Sequence, residues 1–353
     1  MPLEEPPATL KARWLSPEGV LQTVAVLEAL QRHRDLRGRN FLTEHLGRVD
    51  LRGFAFPSVK TKGQLSFHGS EIQIVEGKPS FKKLSLSQID LSFADLRDSI
   101  WEECSFTNAR LVKADLTGSG FWACKFSDID FRESKLRSVC LGGNIGRNTS
   151  TFDRVDFSRS DLRESVHGFA SYSHCTFVDC KLFEVAFNGA RFSDCQFAGM
   201  LDSVSFRDYA KSSRPPTLFG RTELSEFKNS MKNIDFSSAV LRDVLFQGVD
   251  LSTCSFPQDG MHVVVYNQNR VFQKVYSLIY ESWNESEEKK ITLRLIDVLF
   301  LSPDAIPGSY LNKKMIQQPI QVINKTDFEE NFGIGVGNKM FALVQEVNER
   351  LKV

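Results

Sequence analysis

Large apolar residues recur at every fifth position over much of this chain. The first run contains eleven such positions in step: Leu91, Leu96, Trp101, Phe106, Leu111, Leu116, Phe121, Phe126, Phe131, Leu136 and Leu141. A second, mostly small residue lies two positions before each of them, as with Ala114, Ser119 and Cys124. An α-helix needs apolar residues about every 3.6 positions and a β-strand every 2. Neither element explains a period of five.

The period is interrupted twice and then resumes. After GGNIGRNTS (142–150) a second run follows: Phe152, Phe157, Leu162, His167, Tyr172, Phe177, Leu182, Phe187, Phe192 and Phe197. The second break, at 207–233, contains AKSSRPPTLFG, and the third run is Phe236, Leu241, Phe246, Leu251 and Phe256. A poorer set precedes all three: Leu36, Phe41, Leu46, Leu51 and Phe56. The repeat also accounts for the large number of phenylalanines, 29 in all.

Two inward residues in every five mean that each unit turns a corner. One such unit cannot bury its own apolar side chains, whereas stacked coils bury them and pair their backbones with the coils above and below. The inward residues are therefore committed to packing, and any function must lie on the outward ones.

The units resemble those of pentapeptide-repeat proteins, in which a small residue, Asp or Asn, Leu or Phe, and Ser or Thr follow one another. Close matches are IDLSF (89–93), ADLRD (94–98), ADLTG (114–118), IDFRE (129–133), VDFSR (155–159), SDLRE (160–164), IDFSS (234–238) and VDLST (249–253). The resemblance covers about 84–256, or 34–256 with the poorer set. It implies a mainly β fold, a right-handed β-helix with four sides and four units per coil. The 26 units of the three good runs then predict six to seven coils and a rod of about 30 Å.

The segments before the rod predict a cap. Ser16 suits a helix N-cap, Pro17 suits the first helical position, and Val20, Val24, Leu27 and Leu30 follow at helical spacing, so we expect an amphipathic helix over 17–33 within a terminal segment 1–33. The segment 34–83 holds the poorly matching repeats and LSFHGSEIQIVEG (65–77), which alternates like a strand hairpin.

The chain after the repeat, 257–353, predicts a helical C-terminal domain. Three apolar sets have helical spacing: Val271, Val275, Leu278, Ile279 and Trp283; Ile291, Leu295, Val298 and Leu299; Met340, Val344, Val347 and Leu351. The stretch 304–333 between them predicts mostly loop with one short strand. GIGVGNK (333–339) lacks the phosphate-loop and dinucleotide-binding patterns, so it is better explained as a turn before a helix, although such a helix start could also hold an anion.

Composition limits the range of partners and compartments. The 353 residues contain 44 Lys plus Arg and 44 Asp plus Glu, so no global charge favours direct binding of nucleic acid or of an acidic membrane surface. No apolar run is long enough for a membrane span, and the first residues lack the apolar segment of a signal peptide. Together with reduced, buried cysteines, these features predict a cytoplasmic protein.

The residues that could carry chemistry are better explained by packing. Six cysteines occupy the small inward position, where we expect reduced, buried thiols, and the seventh, Cys140, is out of phase: Cys104, Cys124, Cys175, Cys180, Cys195 and Cys254. His167 takes a large inward position, and we expect it to bond to the backbone or to Tyr172. The recurring Asp is expected to bond to nearby backbone at the corners. No catalytic set, metal site or cofactor site is predicted.

Four outward aromatic residues break the polar pattern and are candidate partner-binding residues: Phe93, Trp122, Phe169 and Phe183. If the first break inserts six residues before a corner, Trp122 and Phe169 lie on the same side of the rod, from which the 142–150 loop also leaves. Exposed aromatic side chains often anchor protein interfaces. The alternative is that loops or the C-terminal helices cover them.

Two functions compete at this point. The first is a non-catalytic scaffold that binds a protein through the rod's outer faces and its helical tail, with self-association through the C-terminal domain open. Family members include effectors delivered by bacterial secretion systems, which a helical tail would also fit. The second is implied by the resemblance: some family members mimic duplex DNA, bind type II topoisomerases such as gyrase and protect them. Residues 84–197 contain 16 acidic and 13 basic residues, a net charge of −3, which is low for a DNA mimic.

Overall fold

A corner at every fifth residue produces the period of five. In the computed structural model the residue two places after most of the large inward ones adopts positive φ, as at Asn108 (51°), Lys113 (58°), Asp128 (57°) and Glu133 (60°). The chain therefore turns through a corner between successive short strands. The structure describes residues 5–32, 36–40, 42–55, 63–67, 70–75, 78–146, 148–208, 230–301 and 320–351.

Parallel pairing between positions twenty residues apart closes a coil of four units. Phe126 lies beside Phe106 in this register and Trp122 lies beside Glu102. The four faces are defined here by their inward residues. Face 1 carries Phe106, Phe126, Phe152, Tyr172 and Phe192; face 2 carries Leu111, Phe131, Phe157, Phe177 and Phe197; face 3 carries Leu116, Leu136, Leu162, Leu182 and Leu201; face 4 carries Phe121, Leu141, His167, Phe187 and Phe206. The prediction of a four-sided β-helix is confirmed.

The rod is built from short strands. Their bounds are β1 Glu44–His45, β2 Arg48–Asp50, β5 Lys78–Lys82, β6 Ser85–Ser87, β7 Ile89–Asp90, β8 Ile100–Glu102, β9 Ser105–Arg110, β10 Gly120–Trp122, β11 Lys125–Asp130, β14 Thr151–Asp156, β15 Ser171–Ser173, β16 Thr176–Val178, β17 Leu182–Phe183, β18 Arg191–Ser193, β19 Gln196–Asp202, β20 Ser205–Arg207, β21 Ser230–Lys232, β22 Ala239–Arg242 and β23 Leu245–Gln247. Strands β12 (Asn144–Ile145) and β13 (Asn148–Thr149) form a hairpin outside the coils.

Aromatic rings stack along the interior of each face. On face 1 the ring centroids of Phe106 and Phe126 are 4.9 Å apart and those of Phe126 and Phe152 are 4.7 Å apart, with nearly parallel planes. Face 2 stacks Phe157 on Phe177 at 4.8 Å. Offset stacking of this kind adds about 0.5–1.5 kcal/mol per pair beyond the burial of area. The core is thus one continuous column from Leu51 to Leu251.

The register shows what the first break does and where the repeat begins. Lys125 pairs with Thr151, 26 positions on, so the break inserts six residues, as the sequence analysis required. Parallel pairing begins earlier than the good repeat, with Val49 beside Ile89. Leu46 is 64% exposed in the turn between β1 and β2, so its predicted inward position is wrong. Phe41 and Phe56 lie outside the described residues.

The N-terminal end of the rod is covered by helices and a hairpin. Helix α1 (Pro7–Arg13) and helix α2 (Pro17–Gln31) come first, and the Ser16 side chain accepts the Gly19 N–H as predicted. The Trp14 ring meets Phe54 edge-on at 5.2 Å and donates Nε1–H to the Arg52 carbonyl at 2.8 Å. Strands β3 (Gly63–Phe67) and β4 (Ser70–Val75) pair antiparallel, as the alternation predicted, and β4 pairs with β5. The spacing did not predict α1.

The C-terminal domain packs four helices on a two-stranded sheet. Its elements are β24 His262–Tyr266, α3 Gln268–Ser282, α4 Glu287–Ile296 followed by a π-helical turn Asp297–Leu301, β25 Ile320–Asn324, α5 Lys325–Phe332 and α6 Ile334–Leu351. The three predicted helices are present. Within 333–339 only Gly333 lies outside the helices, and α6 already begins at Ile334, so the turn predicted over this segment is wrong beyond its first residue. Helix α5 corrects the loop predicted over this part of 304–333, because Asn324 caps it by accepting the Thr326 N–H. Residues 302–319 are outside the description.

Candidate functional site

The outer surface of the rod is dominated by arginine–aspartate pairs formed inside single repeat units. In each of three units the arginine donates through Nε and Nη2 to the two carboxylate oxygens of the aspartate, at N···O distances of 2.5–2.8 Å. The units are Asp95–Arg97, Asp130–Arg132 and Asp161–Arg163. The sequence creates this geometry because the two residues flank one inward residue and so leave the strand on the same side. Hydrogen bonds from Arg163 hold the pKa of the Asp161 carboxyl below its usual range despite burial.

The same aspartates also stabilise the corners. Asp130 Oδ1 accepts the backbone N–H of Arg132 at 3.2 Å, and Asp156 Oδ1 accepts that of Ser158 at 2.9 Å. This arrangement confirms the prediction that the recurring Asp bonds to nearby backbone at the corners. These carboxylates are therefore structural.

Further ion pairs connect successive coils. Lys135 lies 3.3 Å from Asp115 and Arg137 lies 2.5 Å from Glu164 on face 3. At the next corner Arg154 Nε is 2.6 Å from Asp128. Each exposed pair stabilises the fold by less than about 1 kcal/mol. Their main consequence is electrostatic, since the acids of these faces lie beside cations and leave little net negative field.

Trp122 is covered by the insertion that follows it. The ring is half-buried and lies flat across Gly120, where an added Cβ would fall 2.1 Å from it. On its other side a Cβ on Gly143 would fall 2.7 Å from the indole Cδ1. The β12–β13 hairpin continues past this point, and Asn148 Nδ2 donates to Glu103 at 3.3 Å. Trp122 is thus packed between two glycines on face 4.

Phe169 is buried, which corrects the expectation that it points into solvent. Its side chain is 3% exposed, and it occupies a corner with φ of 59°. The six-residue insertion does place it on the same side as Trp122, as predicted, because the register runs from Gly120 through Cys140 to Val166. Phe93 also occupies a corner, with φ of 63°, and is half-buried under the ammonium of Lys113, 5.7 Å from its ring centroid.

Phe183 is the candidate that remains in solvent, and two further exposed apolar residues lie on the same face. Its side chain is 42% exposed on face 3. Leu182 and Phe183 pair with Leu201 and Asp202, and Met200 pairs with Val240 on the following coil. Met200 is 47% exposed and Val240 is 39% exposed. We call these three residues, Phe183, Met200 and Val240, the face 3 patch.

Sequence reasoning missed Met200 and Val240 because the register changes there. The coil from Leu182 to Leu201 is 19 residues long rather than 20, and the next spans 40 because of the second break. An apolar residue immediately before the inward leucine was the available signal. It can be recognised only once the register is known.

His167 and its polar neighbours are hydrogen-bonded to one another inside the rod. His167 Nε2 lies 2.8 Å from Ser165 Oγ and Nδ1 lies 2.7 Å from Tyr172 Oη, which confirms the predicted contact with Tyr172. Because Ser165 donates to the Leu162 carbonyl at 2.5 Å, the ring donates from Nε2 and accepts at Nδ1. Burial lowers the pKa of His167 to about 3, so the ring is neutral.

The cysteines behave as small core residues. All seven are free thiols, and burial raises the pKa of the Cys180 thiol to about 12. Cys254 is half-buried, so the expectation that all six in-phase thiols are buried is wrong for this residue of the last coil. Within the described residues, no three His, Cys, Asp or Glu side chains are grouped as a metal site would require. A search of that same part of the chain found no helix suited to crossing a membrane.

These features define a class of protein. The model of the pentapeptide-repeat family matches eight copies of the repeat within residues 85–122. Residues 85–122 therefore carry pentapeptide repeats, and the coil geometry continues on both sides of the matched segment.

Solved structures of the same class are similar to this chain. One is HetL, a pentapeptide repeat protein involved in heterocyst differentiation regulation from the cyanobacterium Nostoc sp. strain PCC 7120, at 22% identity over 50% of this chain and 85% of HetL, with a TM-score of 0.22. A trypsin-treated QnrB1, a plasmid-mediated fluoroquinolone resistance protein, is 14% identical over 57% of this chain and 92% of its own, with a TM-score of 0.26. Rfr23 from the cyanobacterium Cyanothece 51142 is 10% identical over 33% and 86%, with a TM-score of 0.15. No curated protein matches the chain. Similarity at this level carries no argument about function.

Proposed function

We propose that this chain is a non-catalytic scaffold that binds a partner protein through face 3 of the rod and the adjoining helical domain. The observation that carries the proposal is the face 3 patch, whose three apolar side chains are exposed on a face that also carries the ion pairs Lys135–Asp115 and Arg137–Glu164. Met200 and Val240 lie on adjacent strands, about 5 Å apart. Exposed Lys181 and Glu184 border the patch, and an apolar centre with a polar rim is typical of protein interfaces.

We expect Met200→Glu to weaken partner capture at least tenfold without unfolding the rod. A carboxylate at an outward position costs the fold little, whereas burying it against an apolar partner surface costs the complex more than about 1.4 kcal/mol. The measurement is capture from a lysate of the native host followed by titration of the purified partner. Val166→Glu is the matched control, because Val166 is 48% exposed on face 4. Equal binding by wild type and both variants would place the interface elsewhere.

The scaffold proposal competes with that of a DNA mimic protecting gyrase. A mimic needs a continuous negative surface, because duplex DNA carries one charge about every 1.7 Å. Here the pairs Asp95–Arg97, Asp130–Arg132 and Asp161–Arg163 repeat along the rod. Because these carboxylates are paired with arginines, they do not form a continuous negative surface, which supports a protein-binding scaffold over a DNA mimic.

The corresponding prediction is an absence of gyrase protection. In a supercoiling assay with a quinolone present, we expect the purified chain to leave inhibition unchanged, because its acids are neutralised by neighbouring cations. An established gyrase-protecting protein in the same assay is the control. Rescue of supercoiling at low micromolar protein would reverse the order of the two functions.

The proposal includes self-association through the C-terminal domain. Ile291 and Leu299 on α4 and its π-helical turn are 57% and 40% exposed, although their spacing suggested a core face. We expect light scattering to give about twice the chain mass of 40.0 kDa, and Ile291→Glu to return it to the monomer value. Lys290→Glu, on the same helix but outside the apolar stripe, should keep the dimer. A monomeric wild type would remove this part of the proposal.

A further inference from the structure

The backbone ladder of face 3 ends at a side chain instead of another coil. Along this face each inward leucine donates its N–H to a carbonyl of the next coil, as Leu136 does to Asp161 at 2.8 Å and Leu162 does to Lys181 at 3.1 Å. The chain leaves the rod after Phe256, before a further face 3 strand forms. At this end the Leu241 N–H donates to His262 Nε2 at 3.0 Å.

A second side chain closes the neighbouring corner. Glu184 N–H donates to the Asp202 carbonyl at 3.2 Å and Ser203 N–H donates to the Arg242 carbonyl at 3.1 Å. The next corner N–H, of Asp243, donates to Asp327 Oδ2 at 3.1 Å. Two titratable side chains of the C-terminal domain therefore replace the carbonyls of the absent coil, and an exposed strand edge is covered.

The hydrogen bonds around His262 determine which of its nitrogens carries a proton. Nδ1 lies 3.0 Å from both carboxylate oxygens of Asp259, so it donates to them. Nε2 then accepts from Leu241. Asn324 Oδ1 accepts the Thr326 N–H at 2.8 Å, which turns Asn324 Nδ2 toward His262 Nε2 at 3.0 Å.

Protonation would therefore break this arrangement. A proton on Nε2 would face two donors, the Leu241 N–H and Asn324 Nδ2, and no acceptor. Asp259 would still hold the ring as a cation through Nδ1. The neutral ring can therefore accept the Leu241 N–H at Nε2 while it donates to Asp259 from Nδ1. The protonated ring can only donate, and its acceptor is Asp259. Histidine is the side chain that ordinarily changes charge between about pH 5 and 8.

Other charged groups lie where β22 meets the C-terminal domain, and they have partners other than His262. Arg242 pairs with Glu330, and Lys325 lies 3.9 Å from Glu329. Burial, with help from Asp243 and Glu330, raises the pKa of Asp327 to about 6, and its Oδ1 is buried without a hydrogen-bond partner among the described residues. Protonation of Asp327 removes a buried negative charge that lies near Asp243 and Glu330. It therefore favours packing of the C-terminal domain against β22 as the pH falls. Its effect opposes that of His262.

We propose that His262 is a pH-sensitive latch whose protonation at Nε2 opens the seam between β22 and the C-terminal domain and frees the N–H groups of Leu241 and Asp243. The inference concerns regulation of the rod's end and does not depend on the face 3 patch. It rests on the replacement of a backbone acceptor by a ring nitrogen, and on the fixed orientation of Asn324.

Hydrogen exchange on the full chain between pH 7.5 and 5.5, corrected for intrinsic rates, tests the latch. We expect a peptide spanning Leu241–Asp243 to lose at least tenfold protection at pH 5.5, while a peptide within β19 keeps its protection. His262→Gln should abolish the loss of protection at low pH and leave only the opposite effect of Asp327, a gain in protection as the pH falls. Asp327→Asn should keep the loss of protection at pH 5.5 and make it larger, because the variant lacks the protonation of Asp327 that favours the closed state.

Several outcomes would overturn the proposal. One is hydrogen-exchange protection at Leu241–Asp243 that stays the same between pH 7.5 and 5.5 in the wild type. Another is a pH dependence in His262→Gln that equals that of the wild type. If His262→Gln leaves Leu241–Asp243 unprotected at every pH, the variant is uninformative, and the ring NMR signals of His262 in the wild type test the proposal instead. Their titration must coincide with the loss of protection, and a ring that stays neutral while protection falls excludes the latch.

Discussion

Replacing Cys124 with aspartate is expected to destabilise the rod by about 4 kcal/mol, since it places an unpaired charge inside a packed coil. Cys124 is 0% exposed, and its thiol donates to the Trp101 carbonyl at 3.4 Å. Coils contact only their neighbours, so the damage should spread along the rod. Urea unfolding followed by far-UV circular dichroism measures the loss.

Two variants make this result specific. Lys125→Asp adds the same acid to the same strand at an exposed outward position, and it should change stability by less than about 0.5 kcal/mol. Cys124→Ala keeps the position small and apolar and should be mild. If Cys124→Asp unfolds at the same urea concentration as Lys125→Asp, the small inward position is not packed as described.

The second large effect is a loss of stability in acid caused by His167. Burial lowers the pKa of the folded ring to about 3, whereas in the unfolded chain a histidine titrates near 6.5. Between these values the unfolded chain binds a proton that the folded chain does not. Stability should therefore be fully present above about pH 6.5 and fall by about 1.4 kcal/mol per pH unit below it. At pH 4.5 the loss from this residue alone is about 3 kcal/mol.

His167→Phe isolates this contribution. Phenylalanine suits the position because Phe187 and Phe206 lie below it on face 4. Between pH 7.5 and 4.5 the free energy of unfolding should fall by about 3 kcal/mol less in the variant than in the wild type. Carboxylates shared by both proteins cancel in the comparison. His174→Gln, at an exposed position, should keep the wild-type slope. Parallel slopes for wild type and His167→Phe would show that the ring is protonated in the fold.

Much of the rod follows from spacing alone. The inward positions of Phe126, Leu136 and Cys124 could be predicted because a corner every five residues permits only one set of inward side chains. The hydrogen bond between His167 and Tyr172 was also predictable, because a buried imidazole in that column needs a partner. The size of the first insertion then fixed which later residues lie beside Trp122.

The candidate site was less predictable, because exposure depends on what packs over a surface. Trp122 and Phe183 both follow an inward residue, yet the β12–β13 insertion packs against the first and leaves the second in solvent. Phe169 is buried beside the same insertion. Met200 and Val240 escaped notice because one shortened coil and one long insertion changed the register before them.

The sequence by itself determined the period, the inward positions and the aspartates at the corners, since these depend on contacts between residues at fixed separations, whereas the four sides of the coil were implied by the resemblance to pentapeptide-repeat proteins. Only the tertiary structure decided how the rod ends. His262 and Asp327 come from segments without any repeat and meet Leu241 and Asp243 across 21 and 84 residues. Likewise, α4 presents Ile291 to solvent because its other side, with Ile296, packs against the domain core. Such contacts join segments with no common period, so spacing carries no information about them.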